Sequence, residues 1–386
     1  MTDPLNRAER AVLVSSLTPG STRRHFLSQS LVTSVGLAAS WRAASLGGVV
    51  QADARTARVA LTKGADRADN AFRALQMFKP QIAAAIGDKR VVIKPNFVYY
   101  STLLSCTHAA CVEGVLEFLK SIGKRDIAIA ESSAAGNTMA GFDLNGYFSL
   151  TRKYPVKLMD LNQEGFATAQ IWSTGSLTEL TPPRTIRISQ MYLNPDNFII
   201  SCTPMKTHNT AVVTLSMKNV TMSAPVMDVG YAWSQTGMRG DKAWMHGASG
   251  QGPGDYQALN DNVFRLAKAY GIHPHLAVID GYQGMQGNGP VSGYAVAPPQ
   301  QVAVASLDWL AADRVALELM GTNNYRLLNT LPYPACLNYC GQAGLGEWDL
   351  SKIEVLGETI ADNVFNYVAH ATLDSLQLGL RPRPRE

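Results

Sequence analysis

Polar residues that can bind anions, move protons or hold metals recur directly after short apolar runs of this sequence. These polar groups are Lys94-Pro95-Asn96, Glu131-Ser132-Ser133, Lys206-Thr207-His208, Asp280-Gly281 and Ser306-Leu307-Asp308. Short apolar runs separated by helical patterns predict the strands of an α/β sheet. Ligands of such sheets bind in the crevice outside the carboxyl ends of the strands, so the spacing predicts one site there.

Lysine and histidine side chains supply the chemistry expected of that site. Lys94 and Lys218 are candidate substrate-binding cations, which can hold a carboxylate or phosphate. His108 and His208 are candidate catalytic residues, because imidazole moves protons near neutral pH. Lys206 and Asp280 are further catalytic candidates, the carboxylate serving to orient a base or to bind metal.

A metal is one option for a cofactor, although the sequence does not name one. Asp308, Asp313 and His246 are the candidate ligands, and a divalent transition metal is the class expected for such a set. Simpler interpretations remain open for several of these residues. Asp313 can bond neighbouring backbone or Arg314, and His108 can lie in the first turn of a helix.

The segment from Gly284 to Pro290 is rich in glycine and contains Gly287 and Asn288, which we take as candidate substrate-binding residues. Such a segment can expose backbone N–H groups to an anion. A tight turn with glycine at positive φ is the alternative interpretation. The segment matches neither a Walker A loop nor a G-x-G-x-x-G fingerprint.

Several common catalytic and metal-binding templates are absent from the sequence. There is no H-E-x-x-H, no G-x-S-x-G and no C-x-x-C, which disfavours the corresponding hydrolases, ferredoxin-type clusters and zinc ribbons. The chain has 5 cysteines. Cys336 and Cys340 can form a disulfide or remain thiols, and the sequence leaves both states open.

The first 54 residues have the order of a secretory signal. Ser21-Thr22-Arg23-Arg24-His25-Phe26-Leu27 precedes a modest apolar stretch at 31–40 and the small-residue site Ala52-Asp53-Ala54. Paired arginines followed by Phe-Leu are similar to a twin-arginine motif, although an amphipathic helix with a chance arginine pair is the alternative. We therefore expect a signal peptide over 1–54, export to the periplasm, and the twin-arginine machinery as a partner. That route commonly carries proteins already loaded with a cofactor.

Composition excludes some classes of partner. The chain of 386 residues is 46% hydrophobic and 17% charged, with a formal net charge of +4 and no basic block. A nucleic-acid partner is therefore not expected, whereas a small-molecule ligand is. The apolar stretch at 31–40 is too short and polar for a membrane span, so the mature protein is expected to have none.

The mature chain reads as an α/β domain with a mostly parallel sheet flanked by helices. Strands are predicted at 91–93, 127–130, 198–200, 276–279, 302–305 and 353–356, and helices at 70–86, 109–122, 260–270 and 309–320. Gly271 and Gly321 should end helices, and Asp261 should lie near a helix start. One domain is expected over 55–386, with its core at about 88–360, as one body or as two lobes. The glycine-rich stretch at 221–256 is predicted to be a long loop or lid.

These motifs, in this order, resemble the family catalogued as domain of unknown function 362. The matching pieces are Val92-Ile93-Lys94-Pro95-Asn96, Thr107-His108, Lys206-Thr207-His208, Thr214-Leu215-Ser216-Met217-Lys218-Asn219, Asp280-Gly281, Gly287-Asn288-Gly289-Pro290, Ser306-Leu307-Asp308 with Asp313, and Gly344-Leu345-Gly346. The resemblance implies that these polar residues form one site, and it adds Asn96 and Asn219 to the substrate-binding candidates. Some family members carry an iron–sulfur ferredoxin-like module, whose cysteines this chain lacks.

Three functions are compatible with these residues. The preferred one is an enzyme that acts on a small anionic or carbonyl substrate, with or without a metal. The second is a periplasmic ligand- or cofactor-binding protein without turnover, in which the same cations hold the ligand. The third is an electron-transfer protein, which no cluster or haem motif in the sequence supports.

Overall fold

The computed structural model describes residues 57–172, 183–231, 237–247, 255–321 and 335–372. The predicted signal peptide at 1–54 therefore lies outside the described residues. So do 232–236 and 248–254 of the predicted glycine-rich loop. Within that stretch the described residues include a short helix at Asp241–Trp244, and the loop or lid stays a prediction.

The described strands alternate with helices along most of the chain. The strands are β1 (Ala57–Lys63), β2 (Arg90–Lys94), β3 (Ile127–Glu131), β4 (Val156–Asp160), β5 (Phe166–Ile171), β6 (Arg184–Ser189), β7 (Asn197–His208), β8 (Val212–Thr214), β9 (Leu276–Gln286), β10 (Tyr294–Ala295), β11 (Val302–Ser306) and β12 (Ile353–Gly357). The helices are α1 (Arg67–Gln76), α2 (Lys79–Ile86), α3 (Ala109–Ser121), α4 (Thr138–Leu144), α5 (Phe148–Lys153), α6 (Ser216–Thr221), α7 (Asp241–Trp244), α8 (Asp255–Tyr270), α9 (Trp309–Leu319) and α10 (Ala335–Gln342).

The main sheet has the strand order β12-β1-β11-β9-β7-β2-β3-β4. Strands β9, β7, β2, β3 and β4 are mutually parallel, as are β1 and β12. Strand β11 lies between β1 and β9 and is antiparallel to both. The prediction of an α/β fold with a mostly parallel sheet is confirmed. Because β11 runs in the opposite direction, its carboxyl end lies beside the amino ends of β1 and β9.

Both faces of the sheet are covered, which is why its strands read as continuous apolar runs. On one face Val92, Ile199 and Ile279 pack with the apolar side chains of α8 and α9. On the other face Ile93 and Ile200 pack with those of α1 and α3. Alternate side chains of each strand therefore pack into two different cores. The position of a polar residue along its strand decides on which face of the sheet its side chain lies.

The predicted strand segments at 91–93, 127–130, 198–200, 276–279, 302–305 and 353–356 lie within observed strands, so those predictions are confirmed. The helix predicted at 70–86 is in fact two helices, α1 and α2. The break falls at Met77 and Phe78. Pro80 lies in the first turn of α2, where its lack of an N–H group costs no hydrogen bond within the helix. Helix α8 begins at Asp255 rather than near Asp261, so that predicted boundary was wrong.

Helices α8 and α9 end close to Gly271 and Gly321, which have φ values of 67° and 70°. Both glycine stops are confirmed, because glycine adopts this left-handed conformation without the steric penalty of a Cβ atom. Among the described helices, none is both long and apolar enough to cross a membrane.

Candidate functional site

A cavity of about 580 Å³ opens where β2, β3 and β7 end. This is the crevice position expected for a parallel sheet. Its basic lining residues are Lys94, Lys218, Lys242, His208, His246 and His370. Among the described lining residues, Glu131 is the one that carries a carboxylate. The cavity is therefore rich in groups that carry positive charge or donate hydrogen bonds.

Lys94 is a buried cation paired with a buried carboxylate. Strand β2 ends at Lys94 because Pro95 has no N–H group with which to continue the ladder. The Lys94 ammonium donates to Glu131 and to the Asn219 side-chain oxygen, both at 2.9 Å. Glu131 also accepts from the backbone N–H groups of Phe97 at 2.6 Å and Ser132 at 2.7 Å. Glu131 is therefore fully engaged in compensating charge inside the protein.

Two asparagines connect this ion pair to a second buried lysine. Asn96 donates to Asn219 Oδ1 at 2.9 Å, and its own Oδ1 accepts from Lys206 at 2.6 Å. Asn219 Nδ2 donates to Ser201 Oγ at 2.9 Å on the neighbouring strand β7. Lys206 also donates to the Ser105 carbonyl at 2.5 Å. Lys94, Asn96 and Asn219 line the cavity as predicted, but Lys206 lies behind Asn96 and orients it.

Lys218 differs from these lysines. It is 7% exposed and lines the cavity, yet its ammonium group has no hydrogen bond or salt bridge to any residue in the described part of the chain. It lies on helix α6, whose first N–H groups are held by Asp313 of α9. The Asp313 carboxylate accepts from the backbone of Ser216 at 2.8 Å and of Met217 at 3.0 Å. Asp313 therefore fixes the helix that carries Lys218 and Asn219.

Lys242 approaches the cavity from α7. Its ammonium donates to Ser132 Oγ and to the Pro225 carbonyl, both at 2.7 Å. Both partners are neutral, so this cation has no compensating carboxylate in direct contact within the described residues.

Burial is the main cause of the low lysine pKa values at this site, because the low-dielectric interior disfavours the charged form. It lowers the pKa of Lys218 to about 8, aided by the charge of Lys94. It lowers the pKa of Lys242 to about 7, with Glu131 acting in the opposite direction. The pKa of Lys206 also falls to about 7 through burial. Near neutral pH these ammonium groups are thus poised between charged and neutral forms.

His208 presents one defined nitrogen to the cavity. It ends β7 in a hairpin to β8, and its Nδ1 accepts from the backbone N–H groups of Thr210 at 2.9 Å and Ala211 at 3.1 Å. Burial, followed by the charge of Lys218, holds the pKa of His208 well below its usual value. The ring is then neutral, and its proton must lie on Nε2. His208 is consequently a hydrogen-bond donor to a ligand.

Two further histidines line the cavity. The Nδ1 atom of His246 is buried and has no hydrogen-bond partner within the described residues. Burial lowers the pKa of His246 to about 4, with a further contribution from Lys218, so the ring is neutral. His370 reaches the cavity from the C-terminal region and accepts at Nδ1 from the backbone of Thr372 at 3.1 Å.

The glycine-rich segment forms a turn beside the cavity. Gly287 has a φ of 72°, as the tight-turn alternative requires, and its N–H donates to the Val368 carbonyl at 2.7 Å. The N–H of Gly289 donates to the Gly287 carbonyl at 2.7 Å. These two N–H groups are therefore engaged within the protein rather than turned to an anion. Asn288 and Gly289 line the cavity, whereas Gly287 does not.

Two of the predicted catalytic residues lie elsewhere. His108 is exposed and caps helix α3, where its Nδ1 accepts from the Ala110 N–H at 3.1 Å. Asp280 lies in the middle of β9, which continues to Gln286, and its carboxylate is 3.4 Å from the Arg67 guanidinium. Side chains alternate along a strand, so Asp280 lies on the same face as Val278, which packs in the core beneath α1 and α3. Helix α6 lies on the opposite face. The structure therefore does not bring His108 or Asp280 into the cavity.

The three predicted metal ligands are also separated. Asp308 follows the antiparallel strand β11, and it caps α9 by accepting from Leu310 at 3.1 Å and Ala311 at 3.0 Å. Asp313 is committed to the start of α6, and His246 lines the cavity. In the described ranges, no group of three or more His, Cys, Asp or Glu side chains is arranged to hold a metal ion. The expected metal site from these three residues is therefore not assembled.

Sequence reasoning missed Lys242 and His370 as lining residues. Lys242 lies in the glycine-rich stretch, where no periodicity singled it out, and His370 lies beyond the last family motif. Cys336 and Cys340 are both buried free thiols, which decides between the two states that the sequence left open.

Known proteins share parts of this sequence. The thylakoid-associated protein sll1697 of Synechocystis sp. is 25% identical over 235 residues, which are 60% of this chain and 63% of that protein. The chain thus spans less than two thirds of the length of this curated relative. A crystal structure of a Thermotoga maritima protein is similar with a TM-score of 0.32 and 13% identity, over 55% of this chain and 50% of the other. The fold assignment rests on the sheet described above and not on that weak likeness.

The sequence profile of a domain of unknown function, DUF362, matches residues 91–318. The matched range contains the end of β2 with Lys94, the hairpin with His208, helix α6 with Lys218 and Asn219, and the turn with Asn288. Because the profile covers more than half of the chain, this protein belongs to the DUF362 family.

Proposed function

We propose that this protein is an enzyme that acts on a small anionic substrate bound in the cavity. The observation that carries the proposal is the charge of the lining. Lys94, Lys218 and Lys242 line it, against the single described carboxylate of Glu131. Glu131 is already engaged by Lys94 at 2.9 Å. A bound anion would supply the negative charge that Lys218 and Lys242 lack.

The strength of this attraction depends on the local dielectric. Two unit charges 4 Å apart interact by about 4 kcal/mol at an effective dielectric constant of about 20. Part of that energy offsets the loss of the anion's hydration, so the net gain is smaller. A cavity of about 580 Å³ is of the size that holds a small metabolite.

Neutral donors beside these cations favour catalysis over simple retention. His208 lines the cavity, and its Nε2–H, which the backbone contacts to Nδ1 leave available, can polarise an oxygen of the substrate. His246 lines the cavity with a neutral ring, which is a candidate proton carrier. A binding protein would need the charges but not a group that moves protons.

Calorimetric titration tests the proposal at its charge-carrying residue. We expect malonate and inorganic phosphate to bind, and the uncharged malonamide not to bind. Lys218→Met should weaken malonate binding by about tenfold or more, since 1.4 kcal/mol corresponds to a factor of ten. Lys120→Met is the matched control, because the Lys120 side chain is 69% exposed and outside the cavity, and it should leave binding unchanged. Equal binding of malonate and malonamide would contradict the proposal.

Turnover separates the enzyme from the alternative binding protein. An anion found by titration is incubated with catalytic amounts of protein and followed by NMR. New resonances that are absent with the Lys218→Met variant support the enzyme. Retention of the unchanged anion over hours favours a binding protein that uses the same cations.

We further propose that the protein is exported through the twin-arginine route and works in the periplasm. The support is the segment Ser21 to Leu27 with its adjacent Arg23 and Arg24, followed by the small-residue site at 52–54. Export after folding is compatible with a cavity built from residues 94 to 370, which must come together before a substrate can bind.

A further inference from the structure

Lys218 lines two cavities. One is the large cavity with its polar lining. The other is a small cavity of about 10 Å³, whose remaining lining residues are Ala211, Val213, Leu215, Asp313, Cys336 and Leu337. Lys218 is therefore a buried side chain that still borders the substrate space.

The other buried lysines near the cavity have their amines occupied. Lys94 donates to Glu131 and Asn219, and Lys206 donates to Asn96 and Ser105. Lys242 donates to Ser132 and Pro225. Among the cavity lysines of the described residues, Lys218 is the one whose amine has no protein acceptor. An amine without acceptors is free to form a new bond to a ligand.

We propose that Lys218 is a nucleophile that forms an imine with the carbonyl carbon of a small oxo acid. This inference rests on the proposed function, because it names the class of anion bound there. The other cations of the cavity would hold the carboxylate of the oxo acid, which leaves the adjacent carbonyl for Lys218. A small oxo acid would thus use both features of the cavity, because its carboxylate would bind the cations and its carbonyl would react with Lys218.

The reaction needs no oxidant or reductant. The neutral amine adds its lone pair to the carbonyl carbon, and the C–N bond forms as the C=O π bond opens. Proton transfer from nitrogen to oxygen gives a carbinolamine. The hydroxyl then leaves as water while the nitrogen loses its remaining proton, which gives the imine. His208 Nε2–H can donate to the carbonyl oxygen during addition.

The surroundings of Lys218 suit this role. A lysine becomes a nucleophile when it is desolvated in an apolar setting or lies beside another cation. Lys218 is buried and lies near Lys94: burial lowers the pKa of Lys218 to about 8 and Lys94 adds to this effect, whereas Cys336 acts in the opposite direction. At pH 7 about a tenth of the amine is then free of its proton, whereas for an exposed lysine the neutral fraction is below about one in a thousand.

Reductive trapping tests the inference on the full chain. The protein is incubated with glyoxylate, pyruvate or 2-oxoglutarate in turn, and sodium borohydride is added. Intact-mass and peptide mass spectrometry then locate the reduced adduct. We expect one oxo acid to give a single adduct on the peptide that contains Lys218. Lys218→Arg keeps a cation but should lose the adduct, whereas Lys120→Arg should retain it.

The outcomes separate this inference from the proposed function. Malonate binding without any adduct on Lys218 would overturn the imine and leave the anion site standing. Adducts spread over surface lysines would also overturn it. Loss of both malonate binding and adduct formation in the wild-type protein would reject both proposals. Because the wild-type adduct is located directly, the test does not depend on whether a variant folds.

Discussion

At the level of single residues, the cavity differs from an ordinary buried polar cluster in how its lysine charges are compensated. Lys94 has a buried carboxylate partner, which buried charges normally require. Lys242 has neutral acceptors, and Lys218 has none in the described part of the chain. Burial without a carboxylate partner destabilises the ammonium forms of Lys218 and Lys242. A bound anion would stabilise these charged forms and thereby shift the protonation equilibrium of both lysines.

The pH dependence of anion binding follows from these pKa values. The pKa of Lys242 is lowered to about 7 and that of Lys218 to about 8, chiefly by burial. Both are mostly cations at about pH 6 and lose their protons as pH rises through about 7 to 8. Malonate affinity at constant ionic strength should therefore fall by about tenfold or more between about pH 6 and pH 9.

Imine formation should show the opposite sign over the same interval, because the attacking amine must be neutral. The initial rate of reductive trapping, measured at saturating oxo acid, should rise with pH and level off above about pH 9, where an amine with a pKa of about 8 is largely neutral. An affinity for malonate that does not change with pH would show that neither lysine contributes its charge. A trapping rate that falls with pH would contradict the nucleophilic role of Lys218.

At the level of elements, helix α6 is the part of the scaffold that the site depends on most. A helix of 6 residues has little stability of its own, since the cost of nucleation is spread over few hydrogen bonds. Its first N–H groups need acceptors, and the buried Asp313 carboxylate of α9 supplies them. The positions of Lys218 and Asn219 therefore depend on a side chain that does not touch the substrate.

Removing this anchor should affect binding as well as stability. Asp313→Ala leaves the Ser216 and Met217 N–H groups buried without partners, which we expect to destabilise the fold by about 1–3 kcal/mol. It should also weaken malonate binding, because α6 loses its fixed orientation. Urea unfolding and calorimetric titration measure the two effects.

Asp308→Ala is the matched control for this prediction. Asp308 is half-buried and caps α9 by accepting from Leu310 and Ala311, but it lies outside the cavity. Its loss should destabilise the protein by about 0.5–2 kcal/mol and leave the malonate dissociation constant unchanged. If the two variants lose binding equally, the loss reflects general destabilisation and not the placement of α6.

At the level of the whole molecule, the site is made by segments far apart in sequence. The lining runs from Lys94 through Glu131, His208 and Lys242 to His370, so it exists only in the folded chain. The proposed twin-arginine route carries folded proteins, so it would deliver this site already assembled.

Export can be measured without knowing the substrate. Replacing both Arg23 and Arg24 by lysine preserves charge but removes the paired guanidinium groups, and we expect the protein to remain in the cytoplasm of a bacterial host. Cell fractionation followed by immunoblotting gives the distribution. Arg7→Lys together with Arg10→Lys is the control, because those arginines lie outside the motif and their replacement should not alter export. Unchanged periplasmic protein in the Arg23 and Arg24 variant would contradict the proposed route.

The sequence by itself determined the buried strands, the helix stops and several of the cavity residues. Apolar runs identify strands covered on both faces, and glycine at a left-handed position marks a helix end, because both are local properties of the chain. Lys94, Asn96, His208, Lys218 and Asn219 lie in the cavity as expected. Their positions follow from their place near strand ends or in a family motif.

Tertiary structure alone decided the rest. Asp308 lies at the end of the sheet opposite to the carboxyl ends of the parallel strands, because β11 runs antiparallel to its neighbours. No local sequence pattern encodes the direction of a strand. Asp280 faces the opposite core because β9 continues past it and side chains alternate between faces. Lys242 and His370 join the site through contacts distant in sequence. The sequence therefore specified which groups were available, whereas packing decided which of them meet, because strand direction and long-range contacts are properties of the whole fold.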